Sequence, residues 1–448
     1  MSRTIGIYGP LLGIIVFELL FLFFSGIYLS NETVLMLALA NGLAFVIAIS
    51  ADSFGFLCLM LAWLAFDNGP IKAEVGIATF TPFMGGILIL ALVVAIRVTI
   101  GGKRFPFTPT DIAVLLLLLT YSVSTSQAEN IIDSGYLAVH GLLLPACSYF
   151  AIKGLVTNPA ELRRVLGFLL AGLLAFCSAA AVAAALGMAS RRDTLGRDAI
   201  GIATMGVTVV CYLLYGFQGA RAQRILGALI GAAPTVGLFA RGYMVGLLAS
   251  RFIFGAIRKG LAVTVLVTFL VLTITGTAFF TFSPELFRPH GYSLSKENSE
   301  ERLKNPEYWK AGAYDRLIAF RWAEQDFVNH PVFGTGLYRG PEGGATTHNF
   351  HWEWLQYGGL FGYILYASVF LCHFTRMGRV APGNRIVAAS LTLLLLILIN
   401  GLMNGFMHGI MPIFAFIAMG IAEAEAAVQT AEEEAPQEAR PILLATAR

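Results

Sequence analysis

His348 is the residue around which chemistry could gather. It lies in 334–362, GTGLYRGPEGGATTHNFHWEWLQYGGLFG, which closes a long polar loop and runs straight into a hydrophobic stretch. An imidazole titrates near working pH and can take a proton from a hydroxyl. A lone histidine at such a boundary nevertheless serves structure more often than catalysis. The aromatic run after it (Phe350, His351, Trp352, Trp354, Tyr357) reads as an interfacial belt opening a span. The same loop carries Arg288, Lys296, Arg302, Lys304, Lys310, Arg316, Arg321 and Arg339. RRDTLGRD adds Arg191, Arg192 and Arg197, and Arg241 stands alone between two apolar runs. A guanidinium grips phosphate or carboxylate oxygens through a permanently charged planar fork, so these arginines could hold an anion. The loop has no Asp-x-Asp or His/Asp cluster, and the five cysteines show no CxxC spacing, so neither a metal nor a cofactor is expected.

The elements that must position these groups follow from hydropathy. The 448 residues are 57% hydrophobic and only 13% charged, with mean hydropathy +0.74. A soluble domain carries about 25% charged residues. Apolar runs long enough to cross a bilayer recur along the chain, and the alternation of a membrane barrel is absent, so an all-α polytopic membrane protein is expected. Candidate spans are 10–29, 34–50, 54–67, 80–98, 110–127, 136–156, 165–187, 199–217, 222–239, 242–257, 261–283, 353–375, 385–404 and 406–425. The pair at 34–67 is the weakest, so the expected count is about 12–14 helices. The first run reads as a retained span and not a removed signal. A net charge of +3 gives no footprint for nucleic acid.

Lysine and arginine in short loops set the orientation. With the amino terminus inside, Arg3, Lys103, Arg104, Arg163, Arg164, Arg221, Arg224, Arg258, Lys259, Arg376, Arg379 and Arg385 all fall on the inner side. The chain then divides into a bundle at 1–283, an outer loop at 284–352, further helices at 353–425 and a tail at 426–448. Arg241 and the 188–198 loop also face outward. An outward cluster of arginine suggests an anionic ligand there. Long translocated loops also escape the charge rule, and this one holds several glutamates, so the two explanations weigh about evenly.

Within the loop, Leu317, Phe320, Ala323 and Phe327 share one face of an expected amphipathic helix over 312–330, with Arg316 in its first turns. His330-Pro331 stops it. Taken alone, Arg316 reads as a solvated charge. Glu18 and His140 are the clearest ionisable residues inside spans, with Asp52 and Asp111 at span ends, and local hydrogen bonding or interfacial placement, not a transport role, is expected for each. No internal repeat is visible, which counts against a transporter. The Ala/Glu-rich tail reads as a frayed cytoplasmic helix or disordered.

His348-Asn349, nine residues, Gly359, two residues and Gly362 resemble the H[NSQ]-x9-G-x-x-[GTY] signature of the bacterial O-antigen ligases and their relatives, the O-antigen polymerases and protein O-oligosaccharyltransferases. Arg316 precedes Pro331-Val332-Phe333-Gly334-Thr335-Gly336 at the distance of a second block, R-x14-(P)-[LV]-[FY]-G-x-G. A third, [ST]-R-[GA], is met by Ala240-Arg241-Gly242 without the hydroxyl residue, and TPTDIAVLLLLL at 108–119 is similar to the start of the family's fifth span.

The resemblance implies a GT-C-like helical bundle with one large periplasmic loop in the bacterial inner membrane. It implies a metal-independent, inverting glycosyltransferase that moves a glycan from undecaprenyl pyrophosphate to a hydroxyl. His348 would accept the proton, and Arg241 and Arg316 would hold the pyrophosphate. Asn349, Arg191 and Arg321 would support them, with Arg192 and Arg197 as further anion contacts. Asn349 equally suits a helix cap. A ligase would use a lipid A core acceptor in lipopolysaccharide assembly, and a polymerase another lipid-linked repeat. The single sizeable outer loop leans towards the ligase. The alternative of another class is a lipid-linked saccharide transporter.

Overall fold

The computed structural model describes residues 52–67, 73–75, 78–100, 105–128, 130–186, 198–217, 219–237, 241–282, 306–337, 347–407 and 409–434. The helices are α1 (Asp52–Phe66), α2 (Pro82–Thr99), α3 (Pro109–Ser126), α4 (Ile131–Leu155), α5 (Pro159–Ala185), α6 (Ala199–Gly216) and α7 (Arg221–Gly237). They continue with α8 (Arg241–Arg258), α9 (Ala262–Phe282), α10 (Pro306–Asn329), α11 (Phe350–Val380), α12 (Arg385–Asn404) and α13 (Met411–Glu434). Among the described residues, one short antiparallel hairpin, β1 (Ala73–Val75) with β2 (Ala78–Phe80), stands among the helices.

Short polar residues followed by proline start several helices. Thr81, Thr108 and Asn158 accept backbone N–H groups at the starts of α2, α3 and α5, and Pro82, Pro109 and Pro159 occupy the first turn, where no N–H is missed. Nine of the described helices are long and apolar enough to cross a membrane: α2 to α6, α9, and α11 to α13. Of the other expected spans, 10–29 and 34–50 lie outside the described residues. The 54–67 span is the shorter helix α1, α7 has 17 residues, and α8 carries Arg241, Arg251 and Arg258.

α6, α12 and α13 are buried along most of their length, whereas α9 is largely uncovered. α13 packs on α4 and α12, α11 on α3, and α8 on α12. The opposite end of the bundle from His348 holds a buried charge cluster that the sequence reading did not bring together. Lys153 Nζ lies 2.5 Å from Asp111 Oδ2 and 3.8 Å from Glu423 Oε2. Tyr149 donates to Asp111 Oδ1 at 2.6 Å, and Arg376 pairs with Glu423. Asp111 also completes a capping box with Thr108. Charges this deep persist only when paired, and here each carboxylate meets a cation. The ionisable groups inside spans are therefore not limited to Glu18 and His140. Glu353, His373 and Glu423 are buried too.

Two local expectations need correction. α10 begins at Pro306, because proline is pre-organised for a first turn, so Arg316 lies well inside the helix. Its expected face holds, with Leu317, Phe320 and Ala323 buried and Phe320 meeting Phe280 of α9 and Trp352 of α11. The aromatic run of α11 is not a lipid-facing belt: Phe350, His351, Trp354 and Tyr357 are buried, and Trp354 stacks on Tyr366 at 4.6 Å. Neighbouring helices cover this end of α11, which hydropathy cannot reveal. α13 runs through 426–434, the helical one of the two readings of the tail, where alanine and glutamate favour helix; 435–448 lie outside the described residues.

Candidate functional site

The site is assembled where α10 and α11 are tied together. α11 breaks at Gly359, whose φ of 61° and ψ of −160° are not helical. A break leaves backbone groups without helical partners, and these must be satisfied elsewhere. Residues 331–336 supply the partners. The Thr335 and Gly336 N–H groups donate to the Gln356 and Tyr357 carbonyls at 2.9 and 3.1 Å. The Leu360 and Phe361 N–H groups donate to the Pro331 and Val332 carbonyls at 2.8 and 3.2 Å. Ser124 of α3 donates to the Tyr357 carbonyl as well, at 2.5 Å. The backbones approach so closely that a Cβ on Gly334 would lie 2.5 Å from the Tyr357 carbonyl carbon, and one on Gly359 would strike the Val332 carbonyl. Gln356 Nε2 to Asp326 Oδ2 at 2.6 Å adds a side-chain tie. The helix bearing Arg316 is thus fixed against the helix that follows His348.

His348 occupies the left-handed region (φ 49°), an uncommon conformation for a residue with a Cβ. Its ring Nδ1 lies 3.4 Å from the Asn404 carbonyl at the end of α12, at the long end of hydrogen-bond range. A carbonyl only accepts, so this contact puts the proton on Nδ1 and the lone pair on Nε2. The residue is exposed, yet protein crowds the ring on most sides. This crowding and the Arg316 charge hold the imidazole below its ordinary value, while the Asn404 carbonyl acts in the opposite direction. The ring is therefore neutral at pH 7, the form that can accept a proton.

Arg241 opens α8 at the same end of the bundle. A Cβ on the adjacent Gly242 would lie 3.4 Å from the Asn400 Cα of α12. Asn404 follows Asn400 by about one turn, roughly 6 Å along the axis, and donates through Nδ2 to Asn400 Oδ1 at 2.9 Å. The main chain at Arg241 and the carbonyl partner of His348 thus flank the same turn of α12. Arg316, His348 and the start of α8 converge; Arg191, Arg192 and Arg197 lie outside the described residues.

Asn349 serves as a cap. Its Oδ1 accepts from the His351 and Trp352 N–H groups, and its Nδ2 donates to Thr277 of α9 at 3.1 Å. The exposed Arg321 pairs with Glu324 at 2.7 Å one turn along α10. His351 is buried, with its ring nitrogens 2.9 Å from Tyr363 and Thr273 hydroxyls. Among the described residues, no three His, Cys, Asp or Glu side chains gather as a metal site. Three polar residues at this end escaped the sequence reading: Glu353, Asn400 and Asn404. An acid one turn into a hydrophobic span, and two amides four apart in another, were the available signals.

No model of a known protein family matches this chain, and no curated protein matches it.

Proposed function

We propose that this protein is a metal-independent, inverting membrane glycosyltransferase. In this proposal it moves a glycan from undecaprenyl pyrophosphate to a hydroxyl acceptor on the periplasmic face of the bacterial inner membrane. The observation that carries it is the convergence of Arg316, His348 and the start of α8 at one end of a helical bundle. The motif blocks quoted above add support, because the Pro331–Gly336 and Gly359 segments are the parts that lock this arrangement together.

The acceptor hydroxyl oxygen attacks the anomeric carbon as its proton passes to His348 Nε2. The bond from that carbon to the pyrophosphate oxygen breaks, and its electron pair leaves with the pyrophosphate. Charge grows on the leaving group as the bond opens. Guanidinium groups fixed beside it stabilise the transition state more than the ground state, the role proposed for Arg316 and Arg241. Attack from one face inverts the anomeric centre without a covalent enzyme intermediate.

A ligase acting on lipid A core is the first choice and a polymerase the second, since both use this chemistry. Purified protein in bilayers, given labelled undecaprenyl-pyrophosphate glycan with each acceptor in turn, separates them by product. Glycan on lipid A core identifies the ligase, and a lengthened lipid-linked chain the polymerase. Donor that crosses the bilayer with every linkage intact identifies a transporter and refutes the proposal.

A further inference from the structure

Glu353 lies one turn beyond His348 on α11, fully buried. Neither the motif nor the chemistry above uses it. Its Oε2 accepts the backbone N–H groups of Phe406 and Met407 at 2.5 and 2.9 Å. Its Oε1 has no hydrogen-bond partner among the described residues. The carboxylate sits so close to Gly405 that a Cβ there would collide with it, and Gly405 adopts φ 80°. Residues 405–407 are thus held directly after Asn404, whose carbonyl meets the His348 ring.

We propose that Glu353 is a positioning residue for His348: by gripping the main chain at 406–407 it fixes the Asn404 carbonyl, and that carbonyl decides which ring nitrogen carries the proton. The catalytic consequence rests on the transferase reading; the effect on the ring does not. Two features single out Glu353 from an ordinary buried acid. Both N–H groups go to one oxygen, so the carboxylate holds a loop and not a helix of its own. The held loop also begins at the atom that touches the candidate base. Among the described residues, Arg316 on α10 is the charged group facing the ring. α12 contributes the Asn404 carbonyl, α8 the main chain at Arg241, and α9 reaches Asn349 through Thr277. Glu353 reaches the ring through 405–407.

The test uses the full-length protein and two readouts. The first is the pH dependence of His348 carbethoxylation by diethyl pyrocarbonate, quantified by peptide mass spectrometry and independent of any activity. Loss of the carbonyl contact removes an interaction that favours the protonated ring. Glu353→Ala should therefore lower the midpoint by about 0.5 pH unit or more. Glu353→Gln, whose amide oxygen can accept the same two N–H groups, should keep the wild-type midpoint. The second readout is glycan transfer: Glu353→Ala should lose about 100-fold in kcat with an unchanged donor KM, and Glu353→Gln should restore it. Where Glu353→Ala fails to fold, Glu353→Asp substitutes for it, because it keeps the charge and withdraws the oxygen from the loop. A folded Ala or Asp variant with the wild-type midpoint overturns the proposal. A shifted midpoint in a protein whose wild type transfers no glycan leaves the positioning role standing and refutes the transferase.

Discussion

At the residue scale, His348 depends on two neighbours that the sequence separates widely from it. Burial and the Arg316 charge lower its pKa, so protons compete for the ring only at pH values below the usual imidazole range. The acid limb of the transfer rate should therefore lie below about pH 6.5. Replacing Arg316 by Gln removes a like charge, so the His348 pKa should rise and the acid limb move to higher pH. Arg316→Lys keeps the charge but not the planar fork. It should lower kcat while leaving the acid limb within a few tenths of a unit of wild type. A pH–rate profile of the two variants checks both signs, and identical profiles would detach Arg316 from the ring. The candidate residues themselves were legible, since the spacing from Arg316 through Pro331 to His348 and Gly362 is written in the chain. The Asn404 carbonyl was not, because a backbone atom leaves no trace in residue type.

At the element scale, the glycines at 334 and 359 matter through what they allow two backbones to do. The spacing marked them as part of a signature but gave no reason for it. The reason is a helix that breaks and a loop that takes up the unpaired groups. Alanine at either position meets a positive φ, which costs about 1–2 kcal/mol, and also strikes the opposing backbone. Gly334→Ala and Gly359→Ala should each lower the thermal midpoint in detergent by several degrees and reduce transfer. Gly85→Ala, in open space on α2, should change neither. Wild-type midpoints in both loop variants would mean that the tie between α10 and α11 contributes little. The aromatic run after His348 shows the limit of periodicity from the other side. Composition made it a membrane belt, whereas packing by α3, α9, α10 and α12 makes it core.

At the scale of the whole molecule, the helical plan was the most legible feature, because a span needs only length and apolarity and both are visible in sequence. The partners of buried charges were not, since Asp111, Lys153, Arg376 and Glu423 come from four helices and meet only after packing. Lys153→Met would leave Asp111 without its closest cation. It should destabilise the protein by about 3–5 kcal/mol, read as the shift of the unfolding transition in mixed detergent. It should act through the amount of folded protein and not through the pH profile, because the cluster lies at the far end of the bundle from His348. In the proposed reaction His348 deprotonates the acceptor during glycan transfer. The most direct measurement is the initial transfer rate from a labelled undecaprenyl-pyrophosphate glycan in proteoliposomes, compared between wild type and a folded His348→Ala variant. Removal of a general base predicts a fall of about 10²–10⁴ in kcat with donor binding retained. Transfer by His348→Ala at the wild-type rate would contradict the account.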